Sequence, residues 1–189
     1  QYELVKIQET LGVTFVVVTH DQEEAMSLAT RIGVMNDGKI VQVGEPHEIY
    51  EFPNSRFVAG FVGSVNMFEG VVTEDEDDHI RIASVEAGCD IYVSHGVDCA
   101  PQQTLWYAVR PEKLVLSRER PEGDANFTRG MVEDVAYLGD MSVFRIVLDS
   151  GKRVQATQTN SSRYDQDAIS WDEKVYISWA SDAGAVLTQ

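Results

Sequence analysis

The sequence predicts a chain of two parts, an α/β segment over residues 1–63 followed by an all-β domain over residues 64–189. The first observation is a short apolar run, Val13–Val18, which lies between two segments of helical character. The second is that short alternating runs separated by turn residues fill the chain after Gly63. These patterns predict half of a βαβ unit and then a small barrel or sandwich.

The first elements are predicted to be a helix and a buried strand. Leu4, Ile7 and Leu11 recur at helical spacing, and Gly12 follows where a helix commonly ends. Val13–Val18 is mostly β-branched and does not alternate with polar residues. That composition is typical of a strand covered on both faces, as in a parallel sheet.

A histidine marks the end of this predicted strand. Asp21 is a good N-cap for a helix from Gln22 to about Thr30, and Glu24 completes a capping-box pattern with it. Ligands of open α/β sheets bind at the carboxyl ends of strands, so His20 is placed to reach one. The alternative is a histidine that only ends a strand, which the residue by itself would favour.

Two turn signals complete the first part of the chain. Asp37-Gly38 lies between two apolar runs and predicts a β-hairpin. Pro46 suits the first turn of a following helix.

The second part is predicted to be built from strands joined by short turns. In residues 143–148, Val143, Arg145 and Val147 would share one face, and Ser150-Gly151 would supply the next turn. The segment AYLGDMS would join two long strands at the barrel rim. The predicted strands lie near 67–73, 79–84, 90–94, 104–110, 113–117, 127–137, 142–149, 152–158, 173–179 and 185–188.

The charge of the chain argues against nucleic acid as a partner. Residues 1–60 carry 4 basic and 9 acidic side chains, and residues 61–189 carry 11 and 22, for a total of −16. A surface that binds phosphate backbones needs clustered Lys and Arg, and no such cluster is visible in the sequence. No apolar run approaches the ~20 residues of a membrane span, and the start of the chain does not have the pattern of a signal peptide.

Two possible metal sites are disfavoured. Cys89, His95 and Cys99 offer three ligands at loose spacing, whereas structural zinc takes four. The acidic run 74–78 lacks the Gly and distal Glu of a calcium loop and is predicted to be a solvated loop. We therefore expect no metal.

Two roles are possible for the aromatic residues Trp106, Tyr107, Trp171 and Trp179. They could stack nucleic-acid bases in the groove of an OB fold. The shortage of basic residues favours core packing instead.

The string TFVVVTHDQEEAMSLATRIGVMNDGKIVQVGEPHEIYEFP resembles the end of the ATPase domain of ABC transporters. The resemblance covers residues 1 to about 63 and implies that His20 is the switch-loop histidine, which contacts the γ-phosphate of ATP. The phosphate loop G-x-x-x-x-G-K-[ST] does not occur in the chain, and the signature motif and catalytic Glu of that family normally lie upstream. ATP and Mg²⁺ are thus expected only in a longer parent protein, with no cofactor contact beyond His20, and this chain alone is expected to be inactive.

Residues 64–189 resemble the transport-associated OB-like (TOBE) domain of sugar, polyamine and iron importer ATPases. The strings GSVNMFEG, LWYAVRPEKLVLS and VEDVAYLGDMSVFRI carry this resemblance. It makes Arg110, Glu112, Gly139 and Asp140 candidates for regulatory or interface residues. The alternative for Arg110 and Glu112 is a structural corner without a ligand.

Both resemblances imply a parent that is the ATP-hydrolysing subunit of a binding-protein-dependent importer. The sequences of its motifs most resemble those of the putrescine/polyamine branch. They imply a homodimer of ATPase subunits that contacts two transmembrane permease subunits and, indirectly, a substrate-binding protein. The expected location is peripheral, at the cytoplasmic face of the inner membrane. A second hypothesis is an ATP-independent module that senses a small ligand or dimerises.

Overall fold

The computed structural model describes residues 6–7, 10–123, 126–162 and 168–188. The chain divides into two compact units, residues 1–63 (unit 1) and residues 64–189 (unit 2). Strands are the main regular elements of the described residues. None of the helices in these ranges has both the length and the apolar character needed to cross a membrane.

Unit 1 contains a hairpin and short helices. Its elements are α1 (Gln22–Leu28), β1 (Ile32–Asn36), β2 (Lys39–Gly44), α2 (Pro46–Glu51) and α3 (Arg56–Phe61). The predicted hairpin is confirmed: β1 and β2 pair antiparallel around Asp37 and Gly38, whose φ angles are 48° and 76°. Pro46 begins α2, as predicted. A small core joins these elements through Val34, Ile49, Val58 and Val62.

The strand predicted at Val13–Val18 is wrong for this structure. These residues have no regular secondary structure, and Val16 and Val18 are 88% and 95% exposed. A parallel strand needs hydrogen-bonded neighbours and cover on both faces. The described residues of unit 1 offer only the antiparallel β1–β2 hairpin, so the α/β sheet expected here is not present among them.

The helix predicted before this segment is described only in part. Residues 6–7 and 10–11 are helical, and Gly12 follows with a φ of 62°, as expected for a residue that ends a helix. Leu4, which belonged to the predicted apolar face, lies outside the described residues.

Unit 2 contains all the strands that the alternation predicted, each within two residues of its predicted ends. The all-β prediction for this part of the chain is therefore confirmed. The strands are β3 (Asn66–Asp75), β4 (Ile80–Ser84), β5 (Cys89–Val93), β6 (Thr104–Val109), β7 (Val115–Ser117), β8 (Asn126–Tyr137), β9 (Met141–Leu148), β10 (Arg153–Thr159), β11 (Lys174–Trp179) and β12 (Gly184–Leu187).

The two sheets of unit 2 have the same layout. Their strand orders are β12-β6-β3-β4-β5 and β7-β11-β8-β9-β10, so β3 corresponds to β8, β4 to β9, β5 to β10 and β6 to β11. β3 and β8 share the pattern N-x-x-x-G-x-V at 66–72 and 126–132, and the pairing register of both shifts directly after this pattern. Unit 2 is thus a tandem repeat.

The repeat halves exchange their fifth strands. β7 follows β6 along the chain but pairs with β11, whereas β12 follows β11 but pairs with β6. Each sheet is therefore completed by a strand from the other half. A chain ended before β12 would leave the first sheet, not the second, without its last strand.

A buried asparagine at the start of each repeat bridges the two sheets. Asn66 donates from Nδ2 to the Gln155 carbonyl and accepts from the Gln155 amide, both at 2.8 Å. Asn126 makes the same pair of hydrogen bonds with the backbone of Tyr92, at 2.8 and 2.7 Å. Each Asn thus satisfies backbone groups on the edge strand of the opposite sheet, which would otherwise lack partners.

Aromatic side chains fill one region of the core between the sheets. Trp179 stacks on Phe68 with ring centroids 6.1 Å apart and tilts against Tyr107 at 6.4 Å. A Cβ on Gly184 would lie 2.3 Å from the Tyr107 ring and 2.8 Å from the Ala108 carbonyl, so only glycine lets β12 approach so closely. The core interpretation is confirmed for Tyr107 and Trp179, which are fully or almost fully buried.

Limited proteolysis of the 189-residue chain is expected to cut unit 1 first. Proteases need an exposed segment that can be extended into their active site, and residues 13–20 are such a segment. Brief subtilisin digestion followed by mass spectrometry should show cleavage before about Gly63 and a lasting fragment that begins near Ser64. If residues 13–50 resist digestion as long as residues 104–162, the exposed segment is protected in solution and this prediction is wrong.

Candidate functional site

His20 lies in an exposed turn that its neighbours hold in shape. The Asp21 amide donates to Thr19 Oγ1, and Asp21 Oδ1 accepts from the Glu24 amide, both at 3.0 Å. Asp21 is therefore the predicted N-cap of α1. The capping box is incomplete, because the Asp21 amide bonds Thr19 rather than the Glu24 side chain. The helix ends at Leu28, two residues before its predicted end.

The start of α1 is tied to the last residues of unit 1. The Gln22 side chain donates from Nε2 to the Phe61 carbonyl and accepts at Oε1 from the Gly63 amide, the latter at 2.9 Å. These two bonds hold the turn that carries His20. The His20 side chain is exposed, and no phosphate-binding loop precedes it in this chain.

Arg110 and Glu112 occupy a corner between β6 and β7. Arg110 is only 5% exposed, and its guanidinium donates from Nη1 to the Ser64 carbonyl at 3.1 Å. Pro111 is buried and begins a 3-10 turn, Pro111–Lys113, which the Lys113 amide closes onto the Arg110 carbonyl at 3.0 Å. Because β6 and β7 belong to different sheets, this corner connects the two sheets of unit 2.

Gly139 and Asp140 form the tip of the β8–β9 hairpin. Gly139 has a φ of 98°, and Asn160 donates to the carbonyls of both residues, from Nδ2 at 3.0 Å and from its amide at 2.7 Å. The turn is therefore held from beneath. Beside it, Tyr137 and Leu138 are 73% and 62% exposed, which is unusual for large apolar side chains that are close together.

The structure describes the residues of the two disfavoured metal sites and of the aromatic set. The described residues contain no cluster of His, Cys, Asp and Glu that would hold a metal ion. Burial raises the pKa of Cys89 to about 11, so its thiol stays protonated at neutral pH. In the acidic run, Asp78 pairs with His79 at 2.8 Å and Glu74 with Arg81 at 2.8 Å. Trp106 is half-buried, whereas Trp171 is 63% exposed, so the core packing predicted for Trp171 is wrong.

The structure also shows a groove that sequence reasoning missed. It lies in unit 2, has a volume of about 950 Å³, and is lined by residues of β4, β5, β8 and β11 and of adjoining loops. Three arginines line it: Arg81, Arg120 and Arg129. Arg120 and Arg129 are close in sequence, but Arg81 is distant from both, so spacing gave no sign that the three meet. We call this feature the arginine groove.

Aromatic rings hold two of these arginines. The Arg81 guanidinium lies 5.1 Å from the Tyr92 ring centroid, and that of Arg120 lies 5.0 Å from the Phe127 centroid. Both distances are within the range of cation–π contacts. Arg129 binds Asp149 at 2.7 Å and lies opposite Tyr176 in the β8–β11 pairing. The hydrogen bond from Arg129 to Asp149 raises the pKa of the arginine, which stays charged.

The chain resembles known proteins in both sequence and fold. Residues 107–187 match the family model of the TOBE domain. A solved structure of the cytoplasmic molybdate-binding protein ModG superposes with a TM-score of 0.55 and 12% identity, covering 64% of this chain and 94% of that one. At this identity the likeness shows the fold alone.

Two curated relatives match the chain along its whole length. It is 44% identical over 188 residues to the putrescine transport ATP-binding protein PotG of Escherichia coli strain K12, and covers 50% of that protein. It is 38% identical over 190 residues to the spermidine/putrescine import ATP-binding protein PotA of Chromobacterium violaceum, and covers 52% of it. The chain spans about half the length of these relatives. The chain is therefore similar throughout to the C-terminal part of polyamine importer ATP-binding proteins, and most of unit 2 matches the TOBE domain.

Proposed function

We propose that the chain is the C-terminal part of a subunit that couples ATP hydrolysis to the uptake of putrescine or a related polyamine. The observation that carries this proposal is the 44% identity to the putrescine relative, which extends over 188 residues and so includes both units. Similarity to a TOBE domain alone would support only unit 2. The match across unit 1 is what supports an ATPase.

In this proposal His20 is the contribution of the chain to the ATP site. Its neighbours Thr19 and Asp21 use their polar groups within the turn, while the imidazole stays exposed and able to donate to a phosphate oxygen. ATP, with Mg²⁺, supplies the phosphoryl group whose transfer drives transport. The described residues of unit 1 contain no cradle for the phosphates. The phosphate loop and the catalytic carboxylate would come from the half of the protein that precedes this chain.

The exposed run Val13–Val18 supports an incomplete ATPase domain. Its side chains are apolar apart from Thr14, and those of Val16, Val17 and Val18 are more than half exposed. Leaving such a segment in water is unfavourable by ~25 cal/mol for each Å² of apolar surface. We propose that it becomes a strand of a parallel sheet when the preceding half of the protein is present, and that His20 then lies at the end of that strand.

Unit 2 is proposed to regulate the subunit and to contribute to its contacts. Arg110 and Glu112 are assigned to a corner that fixes the two sheets, because the Arg110 guanidinium is buried on a backbone carbonyl. Gly139 and Asp140 are assigned to an interface, since they present the exposed Tyr137 and Leu138. The proposed assembly is a homodimer of ATPase subunits bound to two permease subunits at the cytoplasmic face of the inner membrane, where a substrate-binding protein acts indirectly.

An ATP-independent module is the second candidate, and one observation favours it. The large core of unit 2 is drawn from β3–β12 and their connections, so this unit closes its own core without other residues. Such a unit can fold and bind a ligand by itself. The gene sequence upstream of Gln1 distinguishes the two candidates. A phosphate loop encoded there in the same reading frame would identify the longer protein as an ATPase.

A chimera tests the proposed function directly. The N-terminal half of the E. coli relative, fused to residues 1–189, is expected to restore putrescine uptake in cells that lack that relative, because the two units match it throughout. Uptake of radiolabelled putrescine is the measurement. A fusion that carries only residues 64–189 is the control and should restore nothing, since it lacks His20. A full chimera that is stable and membrane-bound but transports no putrescine would contradict the proposal.

A further inference from the structure

One side of the β1–β2 hairpin in unit 1 is both apolar and exposed. Met35, Ile40 and Val43 are each more than half exposed, and Gly33 is exposed beside them. In the register of the two strands Met35 lies opposite Ile40 and Gly33 lies opposite Val43. These four residues therefore share one side of the hairpin, which we call the open face.

The other side of the hairpin is already covered. Val34 is buried there, in the same core as Ile49 of α2 and Val58 of α3. A two-stranded hairpin is marginally stable by itself and gains stability when it packs against helices, and this side supplies that packing. The open face is therefore a second apolar surface on the same two strands.

Strands of unit 2 show how this protein builds a sheet face that meets water. Charged side chains occupy several exposed positions of β8 and β9, among them Arg129, Glu133 and Arg145. Antiparallel sheets with one solvated face commonly alternate apolar and polar residues in this way. The open face has no charged residue at its four positions, although the chain carries 31 acidic and 15 basic side chains. Its composition is that of a sheet covered on both faces.

The geometry of the open face favours a helix as its cover. A further strand would pair at an edge of the hairpin, whereas a sheet face in an α/β domain is covered by a layer of helices. A Cβ on Gly33 would lie 3.5 Å from the Ile40 side chain and 3.9 Å from that of Val43. Glycine thus leaves a shallow depression between these two side chains, which can accept a side chain from a closely packed helix.

The length of the relatives indicates where such a helix would come from. The chain covers 50% of the putrescine relative and 52% of the spermidine/putrescine relative, so about half of each relative has no counterpart in these 189 residues. The exposed run Val13–Val18 lies in the same unit as the open face. Unit 1 thus has two exposed apolar surfaces, and a missing half of the protein accounts for both.

We propose that the open face binds an apolar helix face of the half of the protein that precedes this chain. The inference rests on the proposed function, because it takes that half to be the rest of an ATPase domain. It adds a second surface to the one proposed for Val13–Val18. In the complete protein the β1–β2 hairpin is then covered on both faces, as sheets of α/β domains are.

Oxidation of the native methionines by hydrogen peroxide tests the proposal without any substitution. The thioether sulfur takes one oxygen atom from the peroxide, which leaves as water, and mass spectrometry of the peptides follows each sulfoxide separately. In the 189-residue chain, Met35 at 58% exposed should react at least as fast as Met131 of unit 2 at 36% exposed. In the chimera with the N-terminal half of the E. coli relative, Met35 should react about tenfold more slowly and Met131 within about twofold of its former rate, because susceptibility follows exposure.

Two matched substitutions provide a second measurement. Ile40→Ser should lower the melting temperature of the chimera by about 5 °C, because it removes a covered side chain, and should change that of the 189-residue chain by less than about 1 °C. Val85→Ser is the control, since Val85 is an exposed apolar residue of unit 2, and should leave both proteins within about 1 °C. If the E. coli fusion does not fold, the N-terminal half of the C. violaceum relative replaces it.

The outcomes separate this inference from the proposed function. Equal oxidation of Met35 in both proteins, with Ile40→Ser no more harmful than Val85→Ser, would overturn the inference even if the chimera transports putrescine. Protection of Met35 in a chimera that transports nothing would support the inference and contradict only the proposed function. Protection of Met35 in the 189-residue chain that is lost on dilution would instead assign the open face to a second copy of the chain. Failure of both fusions to fold would also count against the inference.

Discussion

Ending the chain at Ala180 is expected to lower the melting temperature of unit 2 by about 15 °C or to abolish its cooperative unfolding. The deletion removes β12, which pairs with β6 from Gly184 opposite Val109 to Leu187 opposite Trp106. Leu187 is buried, and losing one buried leucine typically costs ~3–5 kcal/mol. The loss of the backbone pairing adds to this, because β6 becomes an unprotected edge.

The strand exchange determines where this damage falls. β12 is last in sequence but belongs to the sheet of β3–β6, so the deletion damages the first half of unit 2. Tyr107 would lose the cover that Gly184 allows β12 to provide, and Trp179 packs against the same ring. We therefore expect the near-ultraviolet circular dichroism of these aromatic residues to collapse together with the melting transition.

A shorter deletion is the control for chain length. A chain ended at Leu187 keeps all of β12 and should melt within about 2 °C of the original. Suppose that the chain that ends at Ala180 also melts within about 2 °C of the original and keeps its near-ultraviolet signal. In that case β12 does not complete the first sheet in solution.

Most strands of unit 2 were predictable because buried side chains alternate with more exposed ones along them. Phe144, Ile146 and Leu148 point into the core while Arg145 is exposed, as the alternation of β9 requires. The run at Val13–Val18 was misassigned for the opposite reason. A continuous apolar run indicates burial, but the burial of a parallel strand depends on neighbours that the described residues do not supply.

The arginine groove and the repeat were not foreseen, for different physical reasons. Arg81 lies on a different sheet from Arg129 and meets Arg120 and Arg129 only through the packing of the two sheets, which a single sequence does not reveal. The repeat did leave a signal, since NMFEGVV and NFTRGMV share Asn, Gly and Val at the same spacing. A comparison of the chain with itself would have found it, and would have shown that Asn66 and Asn126 occupy equivalent positions.

Replacing His20 by alanine, in the chimera that restores uptake, is expected to reduce ATP turnover by ~10²–10³-fold, the usual loss when one positioned transition-state contact is removed. The turn should keep its shape, because it is held by Thr19, Asp21 and Gln22 and not by the imidazole. Nucleotide binding should therefore change much less than turnover, since the proposed ATP site takes its phosphate loop from the N-terminal half of the chimera.

The matched control for this prediction is His47→Ala. His47 is the other histidine of unit 1, has an exposed side chain, and lies 3.5 Å from Glu45 at the start of α2. Its replacement should leave turnover within about twofold, as is usual for an exposed side chain outside a site. Steady-state phosphate release and fluorescent-nucleotide binding, measured on both variants, separate catalysis from affinity. Equal turnover in the His20→Ala and His47→Ala chimeras would mean that His20 only precedes a helix. The proposed ATP contact would then be wrong.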